Sequence, residues 1–104
     1  MTVKKLTSKD FDEFIKSGKA IIDFYADWCN PCKISSPIIE ELSNEIKDVK
    51  FGKVDVDKES ELARRFYIMS IPTLLFFKNK ERIDRVTGAI PKDELIEKIK
   101  EIKL

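Results

Sequence analysis

Ala20-Ile21-Ile22-Asp23-Phe24-Tyr25-Ala26-Asp27-Trp28-Cys29-Asn30-Pro31-Cys32 is the stretch on which the fold turns. Residues 20–26 are apolar except for Asp23. A strand covered on both faces reads this way, as in the centre of an α/β sheet. A long helix is expected directly after it, from about 31 to 47. Ile34, Ile38, Leu42 and Ile46 recur there at four-residue spacing and give it an apolar stripe. Pro37 lies inside that stretch and should kink it.

Outward from this unit, the same alternation continues. Residues 51–56 read as a second inner strand, and 59–67 as a short helix. Thr73 to Lys78 and Arg82 to Thr87 read as two strands joined by the turn Lys78-Asn79-Lys80-Glu81. Pro91 suits the first position of a last helix, with Asp93 and Glu94 in its first turn. Leu95, Ile96, Ile99 and Ile102 form its buried face. Upstream, residues 2–6 are a weak edge strand and 8–17 a helix. Ser8 is the expected N-cap, Phe11, Phe14 and Ile15 the apolar face, and Gly18 the stop. The order β-α-β-α-β-α-β-β-α predicts an α/β fold: a mixed central sheet with helices on both faces. Its first half is parallel with right-handed crossovers, and its second half adds an antiparallel hairpin.

Composition narrows the chemistry. The 104 residues suit one domain spanning 1–104, and 42% hydrophobic content suits a folded one. Lys plus Arg total 20 and Asp plus Glu 19, so the net charge is +1. No basic excess suggests a nucleic-acid partner. The absence of histidine excludes a Ser-His-Asp triad, a Cys-His pair and His-ligated zinc. The start, Met1-Thr2-Val3-Lys4-Lys5-Leu6, lacks the apolar core of a signal peptide, and the longest apolar runs are too short for a membrane span. The expectation is a soluble, cytoplasmic protein, in a compartment where disulfides are uncommon unless catalytic. Charged residues reach 38%, which fits a heat-adapted source or a codon-composition bias equally well.

Both cysteines fall in one C-x-x-C, a spacing two randomly placed cysteines would adopt roughly 2% of the time. The pair follows the central strand and opens the long helix. Carboxyl ends of parallel strands are where α/β sheets place their sites. A helix N-terminus carries free N–H groups and partial positive charge, so a thiolate at Cys29 is stabilised. Cys32 lies one turn further in and is better shielded, and Pro31 stiffens the turn between the sulfurs. In this division of labour Cys29 attacks a disulfide, and Cys32 resolves the mixed disulfide. Two other readings compete. Half of a four-cysteine zinc site lacks its second pair. A purely structural disulfide closing so short a loop removes little chain entropy. Asp23 is the remaining oddity. Buried and unpaired, its carboxyl would titrate near neutrality and exchange a proton with Cys32. Alternatively it sits on a solvent-facing side of its strand.

The run Asp23-Phe24-Tyr25-Ala26-Asp27-Trp28-Cys29-Asn30-Pro31-Cys32-Lys33, followed by Pro37, resembles the thioredoxin family. So do Ser70-Ile71-Pro72-Thr73-Leu74 and Gly88 after the last strand. The resemblance covers essentially the whole chain, in order. W-C-x-P-C-K with I-P-T about forty residues later is a specific signature, which C-x-x-C alone is not. It implies a protein dithiol–disulfide oxidoreductase without a bound cofactor or metal. Disulfide-containing proteins would be its substrates and a thioredoxin reductase its electron donor. A monomer is the expected state.

Carried over by residue, the resemblance makes Cys29 the exposed nucleophile, Cys32 the resolving thiol and Asp23 the buried acid. Lys53 becomes the neighbouring lysine that tunes Asp23. Pro72 is expected in cis, placing the Ile71 backbone beside the sulfurs to pair with an extended substrate. Trp28, Asn30, Pro31, Val56, Ile71, Pro72 and Gly88 would form the substrate-binding surface. Lys53 as a solvated strand residue, Pro72 as an edge proline and Trp28 as simple core are the plainer readings.

Two positions depart from the family pattern. Asn30 replaces the usual glycine between the cysteines, where it adds a hydrogen-bonding side chain near Cys29. Lys80 replaces the hairpin glycine, far from the chemistry. Asn30 keeps open a glutaredoxin-like or disulfide-isomerase-like role on the same fold, since the dipeptide tunes the potential. A rival from another class is a non-catalytic binding module using Trp28, Ile71 and Pro72.

Overall fold

Five strands form one mixed sheet in this computed structural model, which describes residues 3–101. In chain order the elements are β1 (Val3–Lys5), α1 (Phe11–Ile15), β2 (Lys19–Tyr25), α2 (Asn30–Glu45), β3 (Val49–Asp55), α3 (Ser60–Arg65), β4 (Thr73–Lys78), β5 (Glu81–Thr87) and α4 (Lys92–Glu101). The spatial order is β1-β3-β2-β4-β5. β1, β3 and β2 run parallel, while β4 and β5 are antiparallel to their neighbours. The element order and mixed sheet match the sequence expectation.

β2 lies at the centre because its side chains alternate between two apolar layers. Ile21 packs with Phe51, Leu74 and Phe76 against Ile39 and Leu42 of α2 and Leu95 and Ile99 of α4. Ile22 and Phe24 point the other way, into a layer with Phe11 and Ile15 of α1, Leu62 of α3, Leu75 and Phe77. Two-sided burial removes the polar alternation of a surface strand, leaving the continuous apolar run. Gly52 lies where the second layer is tightest. A Cβ there would meet Leu6 Cδ1 at 2.7 Å, Phe14 at 3.1 Å and Ile22 at 3.3 Å. Gly52→Ala is therefore expected to cost about 1–3 kcal/mol by overpacking, read by denaturant unfolding. An unchanged midpoint would show that this layer can absorb a methyl group.

Three features differ from the sequence reading. Ser8 is not an N-cap. Asp10 Oδ1 accepts the Thr7 N–H at 2.7 Å, forming a tight turn over residues 8–10, and α1 starts only at Phe11. The Ser8 N–H goes instead to Glu59 Oε1, 2.9 Å away. The buried face of α2 is Cys32, Ser35, Ile39, Leu42 and Ser43, rotated from the expected Ile34-Ile38-Leu42-Ile46 stripe. Ile34 is 65% exposed, while Ile38 and Ile46 are half-buried. Seating Cys32 beneath the surface sets this rotation, since helix positions three and four apart share a face. α3 is shorter than expected. Its last turn closes with Ile68 N–H on Ala63 O at 2.9 Å, and Tyr67 takes a left-handed φ of 53°. Ile102 and Thr2, expected in the last helix and first strand, fall outside the described residues. The hairpin turn is a two-residue type with Asn79 at φ 48° and Lys80 at φ 77°. It is fastened to Gly18, whose N–H donates to Asn79 Oδ1 at 2.8 Å and whose carbonyl accepts the Asn79 N–H at 2.9 Å.

Candidate functional site

β2 ends at Tyr25, and four residues later Cys29 caps α2. The cap is made by sulfur. Cys29 has extended backbone (φ −87°, ψ 111°), and its Sγ accepts the Cys32 N–H at 3.2 Å. Helix N–H groups in the first turn have no partner within the helix, so they are free to face a sulfur that carries negative charge. Cys29 and Cys32 are joined in a disulfide with Cα atoms 5.3 Å apart. Asn30 and Pro31 supply the first turn without using a ladder N–H at the proline.

The two sulfurs are equally buried: Cys29 is 4% and Cys32 2% exposed. The expectation of an exposed Cys29 is corrected here. What separates the pair is the cleft each one lines. Cys29 lies at the floor of a groove of about 490 Å³ walled by Trp28, Asn30, Pro31, Val56, Ile68, Met69, Ser70 and Ile71. Cys32 opens instead into a second cleft of about 600 Å³, with Tyr25, Ala26, Ser36, Glu40 and Lys53 among its walls. A partner seated in the groove meets Cys29 first.

The opposite wall of the groove comes from the loop before β4. The Ile71–Pro72 peptide is cis. Ile71 O lies 3.8 Å from Cys29 Sγ. Pro72 is itself buried and shapes the wall through Ile71 rather than by lining it. Gly88 is likewise not a wall residue. Its N–H holds Pro72 O at 2.8 Å, its φ is 94°, and a Cβ there would meet open space. Trp28 is 68% exposed, which excludes a core role, and its Nε1 donates to Asp57 Oδ2 at 2.7 Å. That bond, with Ile68, Met69 and Ser70 as groove walls, was not read from the sequence. The only sequence signal for them is the apolar run Tyr67-Ile68-Met69 in a loop, where Met69 is 88% exposed.

Asp23 is 2% exposed, so the solvent-facing alternative is overturned. Its Oδ1 has no hydrogen-bond partner. Burial pushes its carboxyl up to about 7, against the pull of the Lys53 ammonium. Lys53 is its Cα partner on β3 and is half-buried, with Nζ 5.7 Å from the Tyr25 ring centre. It is therefore neither fully buried with Asp23 nor a freely solvated strand residue. No group of metal-ligating side chains occurs among the described residues, and none of their helices is long and apolar enough to cross a membrane.

A sulfur pair capping a helix at the carboxyl end of a central parallel strand, faced by a cis-proline loop, defines a thiol–disulfide oxidoreductase. A family model described as thioredoxin matches residues 2–101. Among similar proteins, a thioredoxin of Chlamydia caviae is 43% identical over 94 residues, covering 90% of this chain and 92% of that one. A thioredoxin of Mycoplasmoides gallisepticum is 44% identical over 100 residues, covering 94% and 100%. The solved structure of a Malassezia sympodialis thioredoxin superposes with a TM-score of 0.86 at 36% identity, covering 98% of this chain and 91% of that one. The chain belongs to the thioredoxin family, and its activity is protein disulfide reduction.

Proposed function

We propose that Cys29 is the nucleophile, Cys32 the resolving thiol and Asp23 the proton acceptor, in a cytoplasmic, monomeric reductase of protein disulfides. The observation that carries this assignment is that Cys29, and not Cys32, floors the groove beside Ile71 O. An extended substrate strand pairs with the Ile71 backbone and brings one sulfur of its disulfide onto Cys29. The Cys29 thiolate attacks that sulfur, and the other sulfur leaves as a thiolate and takes a proton from water. Cys32 then gives its proton to Asp23 and attacks Cys29 Sγ. The Cys29–Cys32 disulfide forms, and the second substrate sulfur leaves as a thiolate that takes a proton from water. Two electrons have passed to the substrate, and a thioredoxin reductase must return them. Lys53 tunes the charge on Asp23, while Trp28, Asn30, Pro31, Val56, Ile71, Pro72 and Gly88 shape the docking surface. A heat-adapted source is part of the same reading. It is supported by the 38% charged composition and by Lys92, which ties α4 to α2 through Glu41 at 2.9 Å and Glu45 at 2.7 Å.

The order of attack is tested by Cys32→Ser. With its resolving thiol gone, the variant should accumulate a covalent adduct with a disulfide-containing protein, seen by intact mass and released by dithiothreitol. Adducts that accumulate on Cys29→Ser instead would reverse the two roles.

A further inference from the structure

Among the described residues, two buried carboxylate oxygens have no hydrogen-bond partner, Asp23 Oδ1 and Glu40 Oε2. Both residues line one small cavity of about 20 Å³, whose other walls are Val3, Ser36, Ile39 and Lys53. A space of this size fits a single water, and its polar walls offer that water enough partners. Ser36, Glu40 and Lys53 also wall the open cleft into which Cys32 faces. The cavity behind Asp23 and the cleft beside Cys32 thus have these three side chains as common walls. Nothing in the chemistry at Cys29 uses Glu40. Its residue position, eight beyond Cys32 on α2, puts it on the helix flank that overlies Asp23.

We propose that Glu40, with the Ser36 hydroxyl beside it, is the proton port of Asp23. A proton taken from Cys32 by Asp23 passes from Asp23 Oδ1 to a water in the cavity. That water gives a proton to Glu40 Oε2, and Glu40 releases it to the cleft. No electrons move, and each carboxyl returns to its starting state. The port is needed because Asp23 itself is only 2% exposed and cannot exchange its proton with bulk solvent directly. It rests on the assignment of Asp23 as the proton acceptor of Cys32. The titratable groups that share the cavity with Asp23 are Lys53 on β3 and Glu40 on α2; Tyr25 on β2 feels the charges of Asp23, Asp27 and Asp55, and Cys32, Lys5, Asp27 and Lys33 stand around the adjoining cleft. Lys53 carries positive charge and three N–H donors, so it holds a carboxylate but accepts no proton. Among the groups that wall both spaces, Glu40 is the one with a carboxyl group to relay a proton.

The test isolates the Cys32 step. Reduced protein is mixed with excess dithiobis(nitrobenzoate). The first thionitrobenzoate is released by Cys29, the second by attack of Cys32 on the mixed disulfide. In the unaltered protein, the second release is one phase at every pH, because Asp23 equilibrates with solvent before the attack. In Glu40→Gln the amide cannot relay the proton. Near pH 7 the second release then splits into two phases, from molecules with Asp23 already ionised and from molecules waiting to lose its proton. The slow phase lags by about tenfold or more. Its amplitude falls with rising pH and vanishes by pH 9, and Glu40→Asp, which keeps an acid, restores one phase. A single phase at every pH in Glu40→Gln overturns the port, whether the rate is unaltered or uniformly slowed. Asp23→Asn separates the two assignments. If it resolves the mixed disulfide at the unaltered rate, the role of Asp23 itself fails. If it is slow while Glu40→Gln is normal, only the port fails.

Discussion

Cys29→Ser lowers insulin-disulfide reduction to the rate of dithiothreitol alone. The groove is the reason. A substrate disulfide that lies along Ile71 reaches Cys29 Sγ, while Cys32 opens into the cleft on the other side. Cys32 also sits within the first turn of α2, behind the Cys29 cap. The serine hydroxyl stays protonated near neutrality. It therefore offers no anion for the α2 N-terminus to stabilise and cannot displace a thiolate. The loss is one of chemistry and leaves binding intact, so the variant still docks partners and competes with the unaltered protein. Appreciable turnover by Cys29→Ser would mean that Cys32 attacks first, and the asymmetry of the two clefts would then have no catalytic meaning.

Asp23→Asn stabilises the oxidised protein at pH 8 and leaves it almost unchanged at pH 4. The sign follows from proton linkage. The folded carboxyl titrates at about 7 and its ordinary value is 3.8. Below 3.8 both folded and unfolded chains hold the proton, and burial carries no ionisation cost. Between 3.8 and about 7 the unfolded chain loses the proton while the folded chain keeps it, so stability falls as pH rises. Above 7 the folded chain is ionised as well and the loss levels off, at up to about 4 kcal/mol. An amide has no such ionisation, so the gain grows across that window. Chemical denaturation at pH 4, 6 and 8 measures it. An equal effect at all three pH values would show that the carboxyl titrates near its ordinary value in the folded protein. The same substitution removes the proton acceptor of Cys32 and slows turnover by about 10²-fold. Stability and activity then move in opposite directions at one residue, as expected where function requires a charge in an apolar layer.

Much of this was legible in the chain because it depends on local order. The apolar run through Asp23 marks a strand with two covered faces, and the C-x-x-C that follows it marks a helix start on that strand's carboxyl end. The departures share one physical origin. Ser8 has the chemistry of an N-cap, but a side chain two residues on made the better turn. Ile34 has the spacing of a core residue, but the helix rotates to bury Cys32 and leaves Ile34 in solvent. Propensity and periodicity rank the options for a segment. Packing against the rest of the molecule chooses among them.

By itself, the sequence determined the order of elements, the mixed sheet and the two residues that carry the redox chemistry, since each follows from residue types at fixed short spacings. The tertiary structure alone decided which sulfur meets the groove, because Trp28, Val56 and Ile71 come together only when β2, β3 and the loop before β4 are assembled. It alone decided that Asp23 is buried with an unpartnered oxygen, and that Glu40, seventeen positions away in the chain, shares its cavity. Burial and cavity walls depend on what every other segment leaves uncovered, and no local spacing encodes that.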